Sequence, residues 1–361
     1  MCCYTIHKDP RIDETIEGHM DYVTKRLIDT FGKHQVEAIV LIGGFGRGEG
    51  GVIINEKEIR PFHDYDFALV PKGKLLNEKQ LMQLSGEFEE RFLINEVSLW
   101  QITNKRLTTA PLTVHNYEMK CGHKVIWGNQ LIFDTMPEYN SHDIPLFEAT
   151  RLLYNRALDF MKAQHLLNKK SPTIREKVYF LNSCNKVTLA IGESILLWQK
   201  KYHFSYRKRR DLFRRIRDLP FGDDSIVSSL THAIDFKLNP DLDRYESLDR
   251  ESLCQQIREL HERYFGFIER QRLDTDFGNW NEYASILIDS KKPALHAVRN
   301  LVRNLYNIRL YGVQSKFPFK TLYKDHTALK LVQLPQVLYQ RFSPNVVRLK
   351  PDLNSSALRY I

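Results

Sequence analysis

Two aspartates one residue apart, Asp64 and Asp66 in HDYDFALV, are the side chains of this chain whose types and spacing best suit chemistry. On an extended strand, alternation puts both carboxylates on one face, close enough to repel each other. A cation compensates such a pair, and Mg²⁺ prefers oxygen ligands completed by the phosphates of a nucleotide. Upstream, LIGGFGRGEGGVI (41–53) sets six glycines around Arg47 and Glu49, directly after the apolar run AIVLI (38–42). Amides at Gly43 and Gly44 can cradle phosphate oxygens, and Arg47 can offset their charge. Together these parts match a two-metal phosphoryl-transfer site.

Two other phosphate-binding readings of the loop fail on context. Gly46, Gly48 and Gly51 satisfy G-x-G-x-x-G, but a dinucleotide fingerprint needs a helix opening on the last glycine. Here VIINEKEIRPF follows, rich in β-branched residues and carrying a proline. Asp276-Phe277-Gly278 imitates a kinase triplet. Yet no strand lysine in a VAIK-like setting follows the loop, and no HRD-like segment precedes the triplet.

LIGGFGRGEGG…HDYDFALV resembles the signature of the DNA-polymerase-β-like nucleotidyltransferase superfamily: an apolar residue, Gly-Gly or Gly-Ser, a spacer, then Asp-x-Asp on a strand. The GRGE segment is similar to the GGxGRGE motif of the bacterial uridylyltransferases that modify the PII signalling protein. The long spacer and DYDF are similar to a group of bacterial nucleotidyltransferase-domain proteins, some associated with polysaccharide gene clusters. The resemblance covers residues 36–130, and the back half resembles only loosely the helical substrate domains that follow such catalytic domains. It implies a third carboxylate on a nearby strand, acting as metal ligand and as base for the attacking hydroxyl. Glu96 in INEVSLWQI is the preferred candidate; the rival alignment puts Ser98 there. Two departures stand out: nineteen residues (45–63) separate Gly44 from Asp64, more than is usual, and His63 replaces a common serine. The insertion is expected to form a hairpin from VIINEKEIRPF.

The elements that must position these residues follow from periodicity. Ile16, Met20, Val23, Leu27 and Phe31 recur at helical spacing over 13–31, with Asp13 as cap and Gly32 as stop. VEAIVLI (36–42) and DYDFALV (64–70) read as strands, the second with Tyr65, Phe67 and Leu69 on the face opposite Asp64, Asp66, Ala68 and Val70. A helix is expected over 77–92, and strands over 96–102 and 124–128. After MPEYNSHDIP (136–145) the apolar spacing turns helical, over 146–167, 176–202, about 251–272 and about 293–311. The expected fold class is α+β: a small mixed-sheet domain at 1–140, then an all-helical domain at 145–361, as a chain of 361 residues allows.

Other features bound the function. The net charge of +9 is mostly local, because the segment from Arg207 to Arg217 (RKRRDLFRRIR) alone holds seven cations and one acid. It reads either as a solvated helix face with Leu212, Phe213 and Ile216 inward, or as a cationic wall for phosphates, an acidic acceptor or nucleic acid. His115, Cys121 and His123 match no common zinc spacing, and HNYEMKCGH reads as a solvated hairpin. Arg47 and Glu49 also allow a local ion pair. The five cysteines suggest no disulfide framework, no apolar run is long enough to span a membrane, and the first residues lack a signal peptide's apolar stretch.

The expectation is a cytoplasmic, Mg²⁺-dependent nucleotidyltransferase, with Mn²⁺ as a substitute. It moves an NMP from an NTP, ATP first among them, to an acceptor and releases pyrophosphate. Asp64, Asp66 and Glu96 hold the metal and Gly43, Gly44 and Arg47 bind the nucleotide. The acceptor is a small molecule, a protein or an RNA end. The alternatives are a non-catalytic nucleotide-binding protein on the same fold, and an RNA-modifying or toxin-like enzyme.

Overall fold

The computed structural model describes residues 4–54, 59–222 and 225–289, together with Leu331, Leu334, Pro335, Leu338 and Tyr339. The helix expected over 293–311 lies outside them. Helix α1 (Pro10–Phe31) begins earlier than its apolar period, because Asp9 caps it and Pro10 sits where no backbone N–H is needed. Asp13 instead accepts the Tyr4 N–H at 3.0 Å. Strand β1 (Val36–Ile42) runs into a single turn, α2 (Gly43–Gly46). Strands β2 (Val52–Ile54) and β3 (Ile59–Pro61) pair antiparallel as the expected hairpin, whose tip at 55–58 is outside the described residues. Strand β4 (Tyr65–Pro71), helix α3 (Glu78–Phe92), strand β5 (Val97–Gln101), helices α4 (Asn104–Thr108) and α5 (Val114–Cys121), and strand β6 (Lys124–Gly128) complete the front half.

The main sheet is mixed, in the order β5-β4-β1-β6, with β1 antiparallel to both neighbours and β4 parallel to β5. Both faces are covered, which is why β1 and β4 read as nearly continuous apolar runs. Ile39, Leu41, Tyr65, Phe67 and Leu69 pack against α1 and α3. Ala38, Val40, Ile42, Ala68 and Val70 pack against Leu107, Met119, Ile132 and Phe133. Asp64 and Asp66 share the second face by alternation, at the end of β4 where that packing stops.

Helices then follow: α6 (Phe147–Gln164), α7 (Ile174–Trp198), α8 (Tyr206–Arg215), α9 (Ser225–Leu238), α10 (Arg244–Ser247), α11 (Arg250–Leu273) and α12 (Trp280–Asp289). The molecule is α+β, a small mixed sheet followed by a helical part. Helix α7 is its axis, packed on by α6, α9 and α11. Thr173 and Glu176 form a capping box at its start. Phe62, Val114 and Tyr117 of the front half join the helical core, so apolar packing crosses between the halves. No helix among the described residues is long and apolar enough to cross a membrane.

Candidate functional site

The antiparallel pairing of β1 with β4 sets Ile42 opposite Asp66. The chain must therefore turn away from the sheet at Gly43, right beside that carboxylate. Gly43 does so with φ +68°, and a Cβ there would lie 2.7 Å from Asp66 Oδ2. Only glycine fits both the backbone and the space. On the other side of β4, Ser98 of β5 pairs with Asp66. Glu96 precedes β5 by one residue; its carbonyl accepts the Tyr65 N–H at 3.2 Å, and alternation gives it the face of Ser98. Asp64, Asp66, Glu96 and Ser98 thus lie on one face of two adjacent strand ends.

Cations from the helical half meet this edge. Lys186 of α7 places Nζ 3.0 Å from Asp64 Oδ2. Burial works against ionising Asp64, but Lys186 outweighs it, and the carboxyl stays below its ordinary range. Lys237 of α9 is buried nearby. Burial, then Lys186, push its pKa down to about 7, with Asp64 offsetting part of the loss and Arg47 and Arg156 adding to it. Its carbonyl accepts a hydrogen bond from His63 Nε2 at 2.9 Å, which leaves Nδ1 of that buried, neutral ring without a partner. One turn before Lys186, the buried Asn182 Oδ1 also lacks a hydrogen-bond partner, as does Asn185 Nδ2.

Arg47 and Glu49 do not pair with each other and do not face the aspartates. The sequence points Arg47 at phosphates, but its side chain is only 5 % exposed and pairs with Glu118 of α5 at 3.0 Å, beneath the Tyr206 ring. Glu118 also takes Arg209 of α8 and the Tyr202 hydroxyl, and Arg209 pairs with Glu193 of α7. Burial disfavours the Glu118 charge, but Arg47 and Arg209 prevail and hold its pKa at about 2. Glu49 is 1 % exposed and accepts from Ser205 Oγ at 2.6 Å and from the amides of Tyr206 at 2.8 Å and Arg207 at 3.2 Å. A carboxylate there satisfies the free N–H groups at the start of α8 and complements the helix dipole. The GRGE segment is therefore a clamp between the glycine loop and the helical half.

Sequence reasoning missed most of this clamp. HNYEMKCGH is not a hairpin: Thr113 caps α5, and Val114, Tyr117 and Met119 are buried along it. That cap and spacing were the signal that could have found Glu118. Lys186, Lys237 and Arg209 carried no local signal, though Arg209 stands inside the basic run as its one fully buried cation; Phe213 and Ile216 point inward as expected, and Arg207, Lys208, Arg214, Arg215 and Arg217 are exposed.

Two carboxylates with oxygen donors alone suit Mg²⁺, which commonly takes one or two from a protein and the rest of its shell from phosphates and water. Asp64 and Asp66 would hold it. Among the described residues no group of three or more His, Cys, Asp or Glu side chains is arranged to hold a metal, so neither a zinc site at His115, Cys121 and His123 nor a complete triad with Glu96 is formed. Neither protein-family models nor curated protein sequences yield a match to the chain.

Proposed function

We propose that the protein is a Mg²⁺-dependent nucleotidyltransferase that moves an NMP from an NTP to an acceptor hydroxyl. The observation that carries this reading is one arrangement: an acidic strand end at Asp64 and Asp66, a glycine turn pressed against Asp66, and Lys186 and Lys237 arriving from two helices. A triphosphate carries the charge those cations need, and it offers oxygen ligands to a metal at the aspartates. Mg²⁺, when bound, would supply charge to the phosphoryl oxygens.

The chain's own residues do the rest. Asp64 and Asp66 fix the metal position, and Gly43 lets the loop amides approach without a side chain in the way. Lys186 and Lys237 offset charge on the departing pyrophosphate, where fixed cations favour the transition state over the ground state. The acceptor oxygen bonds to the α-phosphorus as the bond to the bridging oxygen of pyrophosphate breaks. Glu96, on the same face as the aspartates, receives the acceptor proton. Arg47 has no place in this scheme beyond holding the loop.

A second reading draws on Ser98. It stands opposite Asp66 where a third carboxylate would complete a triad, which favours a non-catalytic nucleotide-binding protein on the same architecture. One experiment separates the two. Purified protein is incubated with lysate, Mg²⁺ and each α-³²P-NTP in turn, with γ-³²P-NTP as control, and protein, RNA and small-molecule fractions are resolved. Transfer predicts label in one fraction from the α-position alone. Nucleotide binding with no labelled product supports the second reading, and label from the γ-position contradicts both.

A further inference from the structure

We propose that Lys186 is a built-in counter-cation of the acidic strand end, one that must leave Asp64 before a divalent cation can settle there. The inference rests on the reading of Asp64 as a metal ligand, and goes beyond it by making metal binding conditional on where a lysine head sits.

The Lys186 ammonium lies 3.0 Å from Asp64 Oδ2. Both side chains are mostly shielded, 23 % and 20 % exposed, so solvent screens the pair only in part. Mg²⁺ needs its oxygen ligands at about 2.0–2.1 Å, so on this oxygen it competes with the ammonium for the carboxylate's charge. Two cations so close also repel strongly. Occupation by one therefore opposes occupation by the other.

The groups around Lys186 give the displaced head a place to go. Lys237 is close enough for the Lys186 ammonium to disfavour its charge, and Asp64 is the carboxylate beside both. His63, next to Asp64, is disfavoured from charging by burial and by Lys237. An anion bound between Lys186 and Lys237 would draw Lys186 off Asp64 and open it to a metal. Lysine suits this role, because its flexible stem moves the head while the helix stays fixed. Helix α7 is indeed held by buried Cys184, Val187 and Leu189 around the lysine. Anion and metal then bind with positive coupling, each strengthening the other by the same factor.

The test is Mn²⁺ binding with no nucleotide present, followed by electron paramagnetic resonance of free Mn²⁺ at constant pH. It compares wild type, Lys186→Gln, Lys186→Arg, Asp64→Asn and the Asp64→Asn/Lys186→Gln double variant. The expected result is Mn²⁺ binding about tenfold tighter in Lys186→Gln, unchanged weak binding in Lys186→Arg, and loss of the gain in the double variant. Equal tightening in Lys186→Gln and Lys186→Arg would overturn the proposal, because charge would not be the cause; the arginine variant, which keeps the ion pair, also covers a failure of the glutamine variant to fold. Unchanged binding in Lys186→Gln together with weaker binding in Asp64→Asn would overturn it while leaving the metal reading intact. Identical binding in all five proteins would overturn both.

Discussion

Gly43 turns the chain so close to the Asp66 carboxylate that neither can change without the other feeling it. Gly43→Ala would force a side chain into a left-handed backbone and onto Asp66 Oδ2. We expect a loss of about 1–3 kcal/mol in stability and at least tenfold in nucleotidyl transfer, read by thermal melting and α-³²P transfer. Lys237 makes a signed pH prediction. Its pKa falls from 10.5 to about 7, so the folded protein favours the neutral amine. The cost of burying its charge is then full below pH 7 and is relieved as pH rises toward 10.5, because the unfolded chain holds the extra proton across that window. Lys237→Met should therefore melt above wild type at pH 6, with a margin that shrinks by pH 10. A bound triphosphate restores the charge, so tripolyphosphate binding at pH 8 should take up protons, seen as different apparent enthalpies in buffers of different ionisation heat. At this scale the aspartates and glycines were legible from spacing alone. Their partners were not: Lys186 lies 122 residues from Asp64, and Glu118 lies 71 from Arg47, distances only the tertiary fold can close.

Helix α8 shows what one element gains from a residue elsewhere in the chain. Its local sequence is a poor helix by charge, with basic residues in its first turn where the dipole disfavours them. Ser205 caps it at the Lys208 amide, and Glu49 brings a buried carboxylate to the preceding amides of Tyr206 and Arg207. Glu49→Ala should cost about 2–3 kcal/mol and loosen α8 selectively, visible as faster amide exchange there than in α7. Glu118→Gln leaves Arg47 and Arg209 facing one fewer negative charge and should cost about 3–5 kcal/mol. The wild-type carboxyl titrates at about 2 when folded against 4.5 in the unfolded chain, so its contribution is complete above pH 4.5 and fades as pH falls toward 2. Acid denaturation curves of the two proteins should therefore converge at low pH. Long periodic elements such as α1, β1, β4, α6, α7 and α11 could be read from the sequence because their apolar faces repeat. Helix α9 could not, because SIVSSLTHAIDFKL mixes serines and β-branched residues, and its helicity comes from packing on α7 and α8.

Across the whole molecule, the helical half supplies charge to a site whose acids belong to the sheet. The glycine loop touches both: Gly43 fits against Asp66, while Arg47 and Glu49 hold α5 and α8. Those contacts explain the glycine at 43 and the two charged side chains of the loop. The architecture, an α+β chain with helices last, was visible in the change of apolar period near residue 145. The closeness of the halves was not, since Phe62, Val114 and Tyr117 show no local sign of joining the helical core. The most direct test of the central claim is transfer of ³²P from the α-position of an NTP by purified wild type and Asp66→Asn, with identical melting curves as the control for folding. The expected result is Mg²⁺-dependent labelling in wild type and a loss of at least a hundredfold in the variant. Equal labelling in the two proteins would contradict it.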